Sequence, residues 1–360
     1  MNILLLYNDF DGAYGSLAVF QKEMITTSGE DLRLFVSYST EETIDICNRN
    51  SVDFSLGIGE FNQYVNGVPI YDKTGVYHYQ WIIDNPLKSY IDTNSHRIVY
   101  ILINKEHVFN LGVTKNKPLF MPIGIKSKSS KTVCDERQEG IVFSGQIKDN
   151  TELLTTLYDE LSDKNIKVFI DEYRERLSDS FEKKFNVFFG ELPIKEKKRI
   201  FRPLNTYFRS LKRKKVIQSI KNYPVYIIGD VFDDEVIKQH NVHPLNKLSY
   251  DQIWKSVSRY KYSINVNPNF HDGIHDRILR SILCGTIPIS EESNWCQEVF
   301  GGNMIFYKYE NAQIEDEIAT IDDDERFAMI SNLRNSVMCF EWSILLKTIE
   351  ENYKRYEIRH

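Results

Sequence analysis

Short, unbroken apolar runs that close on glycine, aspartate or asparagine recur along this chain, and they limit its fold more than any other feature. Ile3-Leu-Leu-Leu-Tyr7 runs into Asn8-Asp9-Phe-Asp11-Gly12, and Tyr79-Gln-Trp-Ile-Ile83 runs into Asp84-Asn85-Pro86. Leu32 to Val36, Phe54 to Gly57, Arg97 to Ile103 and Pro118 to Pro122 supply further runs in the first half. The second half repeats the device at Gly140 to Gly145, Tyr223 to Asp230, Tyr262 to Asn267 and Thr286 to Ser290. A strand covered on both faces reads as a continuous apolar run, so these are expected to be parallel strands. Segments with helical spacing separate them: Ser16 to Met24, Thr151 to Leu161, Tyr250 to Tyr260, Ile278 to Leu283 stopped by Gly285, and Glu341 to Tyr356. Strands alternating with helices give an α/β fold with doubly wound sheets.

The run of residues 127–139 is polar, rich in serine and lysine, and reads as a linker. Two Rossmann-like domains facing a cleft are therefore expected: residues 1–126, with 341–360 crossing back to them as a helix, and residues 140–340. Ile166 to Ile170 reads as a strand. Residues 171–222 read as a polar, mostly helical insertion.

Composition bounds the function. At 360 residues and 42% hydrophobic, the chain suits a globular protein of two domains. A net charge of -6 argues against a protein that coats nucleic acid by overall charge. Five scattered cysteines without a CxxC fit a reducing cytoplasm better than a disulfide framework or a zinc site. The opening MNILLLYNDFDG lacks the basic start of a signal peptide, and no apolar stretch approaches membrane-spanning length. A cytoplasmic protein, peripheral to a membrane at most, is the expectation. With no HExxH and no Cys/His cluster, no metal site is expected.

The segment Asn265 to Ser290 carries most of the chemistry. A strand ends in polar residues including Asn267, a loop with Gly273 follows, and a helix begins after His275-Asp276-Arg277. Free backbone N–H groups and the dipole make such a helix start an anion site. Arg277 can clamp a diphosphate, and His275 can donate to phosphate or sugar hydroxyls. A surface loop with a solvated Arg and a capping Asp is the plainer alternative. Gly145, with Lys148 beyond it, and Gly229 end other strands of this half and are candidates to line the same donor site.

In the first half, Asp84 follows a strand, where sites in open α/β sheets lie, and is the candidate base. A structural turn before Pro86 is the competing reading. Asp11 is the second candidate. Asp9, Gly12 and Tyr14 of the same loop, with His78, are candidates for acceptor binding. Residues 195–215 hold ten Lys/Arg and one Glu, a local charge of +9 that leaves -15 elsewhere, with Phe201, Tyr207 and Phe208 interleaved. A polyanion, a phosphorylated or lipid-linked glycan, an anionic membrane or DNA would suit such a run. A solvated helical face is the plainer reading.

The 265–290 segment resembles the donor-binding motif of GT-B glycosyltransferases, especially the spore-maturation CgeB-like group. Met121-Pro122-Ile-Gly124, Val142 to Gly145, Ile228-Gly229-Asp230 and the last helix agree in order. The resemblance implies a nucleotide-sugar co-substrate, no cofactor and metal-independent transfer to a hydroxyl, in glycan assembly or, as in phage enzymes, on DNA bases. It also implies a ribose-binding Glu three residues after the motif Arg. Here that residue is Arg280, which cannot accept hydroxyl protons. Asp276, Glu291 or Glu292 are left to serve instead, the donor nucleotide is unusual, or activity is lost and the chain is a binding protein on this scaffold.

Overall fold

A computed structural model describes residues 1–7, 15–27, 32–59, 64–89, 91–127, 137–160, 164–266 and 270–357. The chain divides into two compact units, Met1–Lys128 with Met338–His360, and Ser129–Val337.

The first unit holds β1 (Asn2–Leu6), β2 (Arg33–Ser37), β3 (Phe54–Ile58), a hairpin of β4 (Tyr64–Val65) and β5 (Val68–Pro69), then β6 (Tyr77–Ile82), β7 (Ile98–Leu102) and β8 (Leu119–Phe120). Six strands form one sheet in the order β2-β1-β3-β6-β7-β8, every neighbouring pair parallel. Ile3 to Leu6 and all of β7 are almost fully buried, as continuous apolar runs in a covered sheet must be. The Trp342–Glu357 helix belongs to this unit. Trp342 packs edge-on against Trp81 with centroids 5.4 Å apart, and Tyr79 donates its hydroxyl to Asn352 at 3.0 Å. Gly124 lies flat under the Trp342 ring: a Cβ there would stand 2.2 Å from Cδ2.

The second unit holds β9 (Gln138–Ser144), β10 (Val225–Ile228), β11 (Val242–Leu245), β12 (Tyr260–Asn265), β13 (Ile287–Glu291) and β14 (Ile305–Tyr307). Their order is β11-β10-β9-β12-β13-β14, again all parallel. From β9 the chain winds outward to β10 and β11. From β12 it winds the other way, so the winding reverses between β9 and β12, where open α/β sheets place ligands at the carboxyl edge.

Between β9 and β10 stand the helices Lys164–Glu175, Phe181–Phe189 and Ile194–Ser219. Ile166 to Ile170, expected as a strand, lies in the first of these. Ile166, Phe169, Ile170 and Tyr173 are buried at helical spacing. Phe169 and Tyr173 pack in an aromatic cluster with Phe181, Phe185, Phe201 and Phe208. Asp323, Asp324 and Glu325 open the Asp323–Val337 helix, where the dipole favours them.

Candidate active site

The Asp276–Leu283 helix starts just beyond β12, beside the point where the winding of the second sheet reverses. His275 is its N-cap residue, in extended conformation. Its Nδ1 stands 3.3 Å from the Arg277 backbone nitrogen and 2.5 Å from Asp276 Oδ1. One nitrogen cannot serve both as acceptor and as donor. The shorter contact requires a proton on Nδ1, donated to the carboxylate, and leaves the capping contact a loose one. Tyr250 donates its hydroxyl to the other oxygen of Asp276. Burial disfavours the Asp276 anion, but His275, Tyr250 and Arg277 together outweigh it and hold the carboxyl well below the usual range. Burial, reinforced by the charges of Arg277 and Arg209, keeps His275 below its ordinary value against the pull of Asp276.

The carboxyl half of the Ile194–Ser219 helix brings a second group of cations to this edge. Arg213 is buried and donates Nη1 to the Gln146 carbonyl at 2.6 Å. Burial, then the charges of Arg209 and Arg277, pull the Arg213 guanidinium below its ordinary value. Burial and Arg209 likewise lower Arg277, with Asp276 opposing. Lys212, 2% exposed, pairs at 3.3 Å with Glu291 at the end of β13. Burial raises Glu291 even so, Lys212 acting against it. Ser210 pins the following loop, accepting from Lys148 N at 2.9 Å and donating to Lys148 O at 2.7 Å. Among the described residues, neither the Arg209 nor the Arg277 guanidinium has a hydrogen-bond or ion-pair partner. Asp276, whose charge acts on Arg277, is already held by His275 and Tyr250. The result is mutually repelling cations beside a helix start, an arrangement that an anion relieves.

Gly145 and Gly229 end the adjacent strands β9 and β10. A Cβ on Gly229 would meet the Gly145 carbonyl oxygen at 2.6 Å, and one on Gly145 would meet the Phe143 ring at 2.9 Å and the Arg213 guanidinium carbon at 3.6 Å. Both sit at the edge the cations occupy, and the close approach of backbone and guanidinium needs their missing side chains. The Lys148 side chain is exposed beside them. Gly273 is buried, its carbonyl accepting from Ser293 at 3.5 Å.

Several candidates stand elsewhere. Gly285 follows the last turn of the Asp276–Leu283 helix, about 12 Å from its start at 1.5 Å per residue. It takes φ +73°, and a Cβ would collide with Arg137 Nη2 at 2.7 Å, so it ends the helix and does not line the anion site. His78 is 1% exposed near the amino end of β6, between Ser55 Oγ at 2.9 Å and Gln80 Oε1 at 3.0 Å, and cannot reach an acceptor. Burial lowers it to about 4. Asp84 stands past the carboxyl end of β6, half exposed. It accepts from Asn85 N at 2.9 Å and from Lys88 Nζ at 2.8 Å and 3.0 Å. Asp9, Asp11, Gly12, Tyr14 and Asn267 lie outside the described residues. Arg280 is buried, and Glu292 pairs with Lys308 at 2.7 Å. Phe201, Tyr207 and Phe208 are buried in the aromatic cluster, so the basic run is not a ladder of cations and exposed rings. Among the described residues no group of three His, Cys, Asp or Glu side chains could hold a metal.

Glu291, a candidate for the ribose contact, is paired with Lys212; Arg209, Lys212 and Arg213 belong to the basic run without standing out from it individually, and Tyr250 does not stand out in the sequence. One signal was available for Lys212: it follows Phe201, Leu204 and Phe208 on the helix's apolar stripe, where a lysine needs a buried partner.

Two separate α/β units, each with a six-stranded parallel sheet, form the architecture of GT-B glycosyltransferases. Residues 206–340 match the family model described as glycosyl transferase-like, and that segment contains Arg209, Lys212, Arg213 and Arg277. Sucrose-phosphate synthase from Thermosynechococcus elongatus superposes with a TM-score of 0.55 at 11% identity over 100% of both chains. Anabaena HepE in complex with UDP and glucose gives 0.54 at 10% identity, over 99% of this chain and 100% of that one. The DNA-modifying enzyme β-glucosyltransferase gives 0.55 at 10% identity, over 97% and 99%. At such identities the likeness is one of fold. No curated protein matches in sequence. The chain thus carries a glycosyltransferase-like domain within a GT-B fold. No helix among the described residues is long and apolar enough to cross a membrane.

Proposed function

We propose that this chain transfers a sugar from a nucleotide-sugar donor to a hydroxyl acceptor, with the donor diphosphate seated at the start of the Asp276–Leu283 helix. The observation that carries the reading is the unpartnered pair Arg209 and Arg277, held by the fold beside that helix start within the 206–340 match. Departure of a nucleoside diphosphate from the anomeric carbon builds negative charge on phosphate. Fixed guanidinium groups and backbone N–H donors stabilise that charge as it forms, without a metal ion. Asp276 orients His275, and its own carboxylate is engaged by Tyr250 and His275. The ribose contact that Arg280 cannot supply is left to other groups.

In an inverting reaction a base takes the acceptor proton. Asp84 is the proposed base, poised through Lys88 and the Asn85 N–H, and Asp11 is its rival. The 265–290 segment supports placement with the CgeB-like group, in cytoplasmic glycan assembly. A DNA acceptor is the weaker reading, because the rings of the basic run are buried and cannot stack on bases.

Hydrolysis and binding of a panel of UDP-, GDP-, ADP- and CMP-sugars tests the reading; neither binding nor turnover with any donor would sink it. Asp84→Asn should lower the transfer rate by about 10²–10⁴-fold with donor binding retained. Full transfer by that variant removes Asp84 as the base.

A further inference from the structure

The tip of the helical insertion exposes aliphatic side chains where solvent should favour polar ones: Val187 at 79%, Ile194 at 53% and Leu192 at 37%. On the Phe181–Phe189 helix, Phe181, Phe185 and Phe189 share the buried face. At 3.6 residues per turn, Val187 falls on the opposite face, between Lys183 and Lys184. On the next helix Lys195, Arg199 and Arg202 follow one another at four- and three-residue steps, and all three are exposed. Residues 183–202 hold seven Lys/Arg and two Glu, a local charge of +5 in a chain whose net charge is -6. Glu196 is committed to Arg199 at 3.1 Å.

We propose that this tip docks on an anionic lipid bilayer. Val187, Leu192 and Ile194 enter the interfacial layer, and the cations around them meet headgroup phosphates. The apolar prominence selects lipid over nucleic acid. A nucleic-acid groove would present the rings of this insertion, and Phe201, Tyr207 and Phe208 are turned into the core. Docking is independent of the sugar-transfer reading, since none of these residues belongs to the cationic edge described above.

Flotation of the full chain with vesicles tests it, comparing pure phosphatidylcholine with an equal mixture of phosphatidylcholine and phosphatidylglycerol. Binding should appear with the anionic vesicles only and weaken with salt. At about fivefold per cation removed, Lys195→Gln, Arg199→Gln and Arg202→Gln together should lower partitioning about a hundredfold. A second variant, Val187→Asp with Ile194→Asp, should abolish the binding that remains at high salt. Thermal melting like that of the parent certifies the fold of both. The proposal is overturned if the chain floats with neither vesicle, or equally with both. Unchanged partitioning of both variants, or tighter binding of a mixed-sequence DNA duplex through the same cations, overturns it as well.

Discussion

The two ends of the Ile194–Ser219 helix are built from the same residue types and meet opposite fates. At the amino end Lys195, Arg199 and Arg202 stand in water, and their charges cost nothing to keep. At the carboxyl end Lys212 and Arg213 are buried, and each requires a partner supplied by a distant strand or loop: Glu291 and the Gln146 carbonyl. A run of like charge in sequence is therefore not one object. The helical period divides it, and what the buried half meets in the fold decides whether it is structure or site.

Breaking the buried half should give the largest effect. Lys212→Met leaves Glu291 buried without its cation, and should cost about 3–5 kcal/mol of stability at neutral pH by denaturant melts. Adding Glu291→Gln should return most of the loss. If the double variant is no better than the single, the pair does not account for the burial of Lys212.

Arg277→Ala, which removes a cation with no carboxylate to strand, should barely change stability. It should lower turnover about 10²–10³-fold, or about 3–4 kcal/mol of barrier. A collapse of stability with intact turnover would reverse the assigned roles.

His78 sharpens the contrast, because it is a buried titratable group with no opposite charge and is kept neutral instead. Its folded value of about 4 lies below the ordinary 6.5. The unfolded chain therefore takes up the proton first. The contribution is present in full above pH 6.5 and is lost as pH falls towards about 4, by about 3 kcal/mol at about 1.4 kcal/mol per pH unit. His78→Gln should flatten that slope in melts across the window. At the exposed end, Lys195→Gln and Arg199→Gln should each change stability by less than about 0.5 kcal/mol.

The parallel sheets are legible in sequence because strands such as Ile98–Leu102 are buried on both faces and read as continuous apolar runs. Val242–Leu245 escapes the same reading: it is a short edge strand whose apolar run is interrupted by His243 and Pro244. The helix start at His275 is legible because strand, loop and helix are contiguous. The approach of Arg209 to Arg277 is not, since it depends on how a long helix packs across the sheet. Ile166 to Ile170 shows the limit of short windows, where five residues fit either period and only the longer stripe to Tyr173 decides.

The Trp342–Glu357 helix has a consequence for synthesis. Trp342 stacks over Gly124, and Asn352 receives the Tyr79 hydroxyl, so the first unit is built from both ends of the described chain. The second unit lies entirely between them. On the ribosome the half that begins first is completed last. Until the final helix emerges, Trp81, Tyr79 and Phe54 lack their cover, while the second unit already has its whole sequence. The nascent first sheet must wait with an apolar face exposed, and a chain halted before Trp342 should be held by chaperones or cleared rather than accumulate as a folded half.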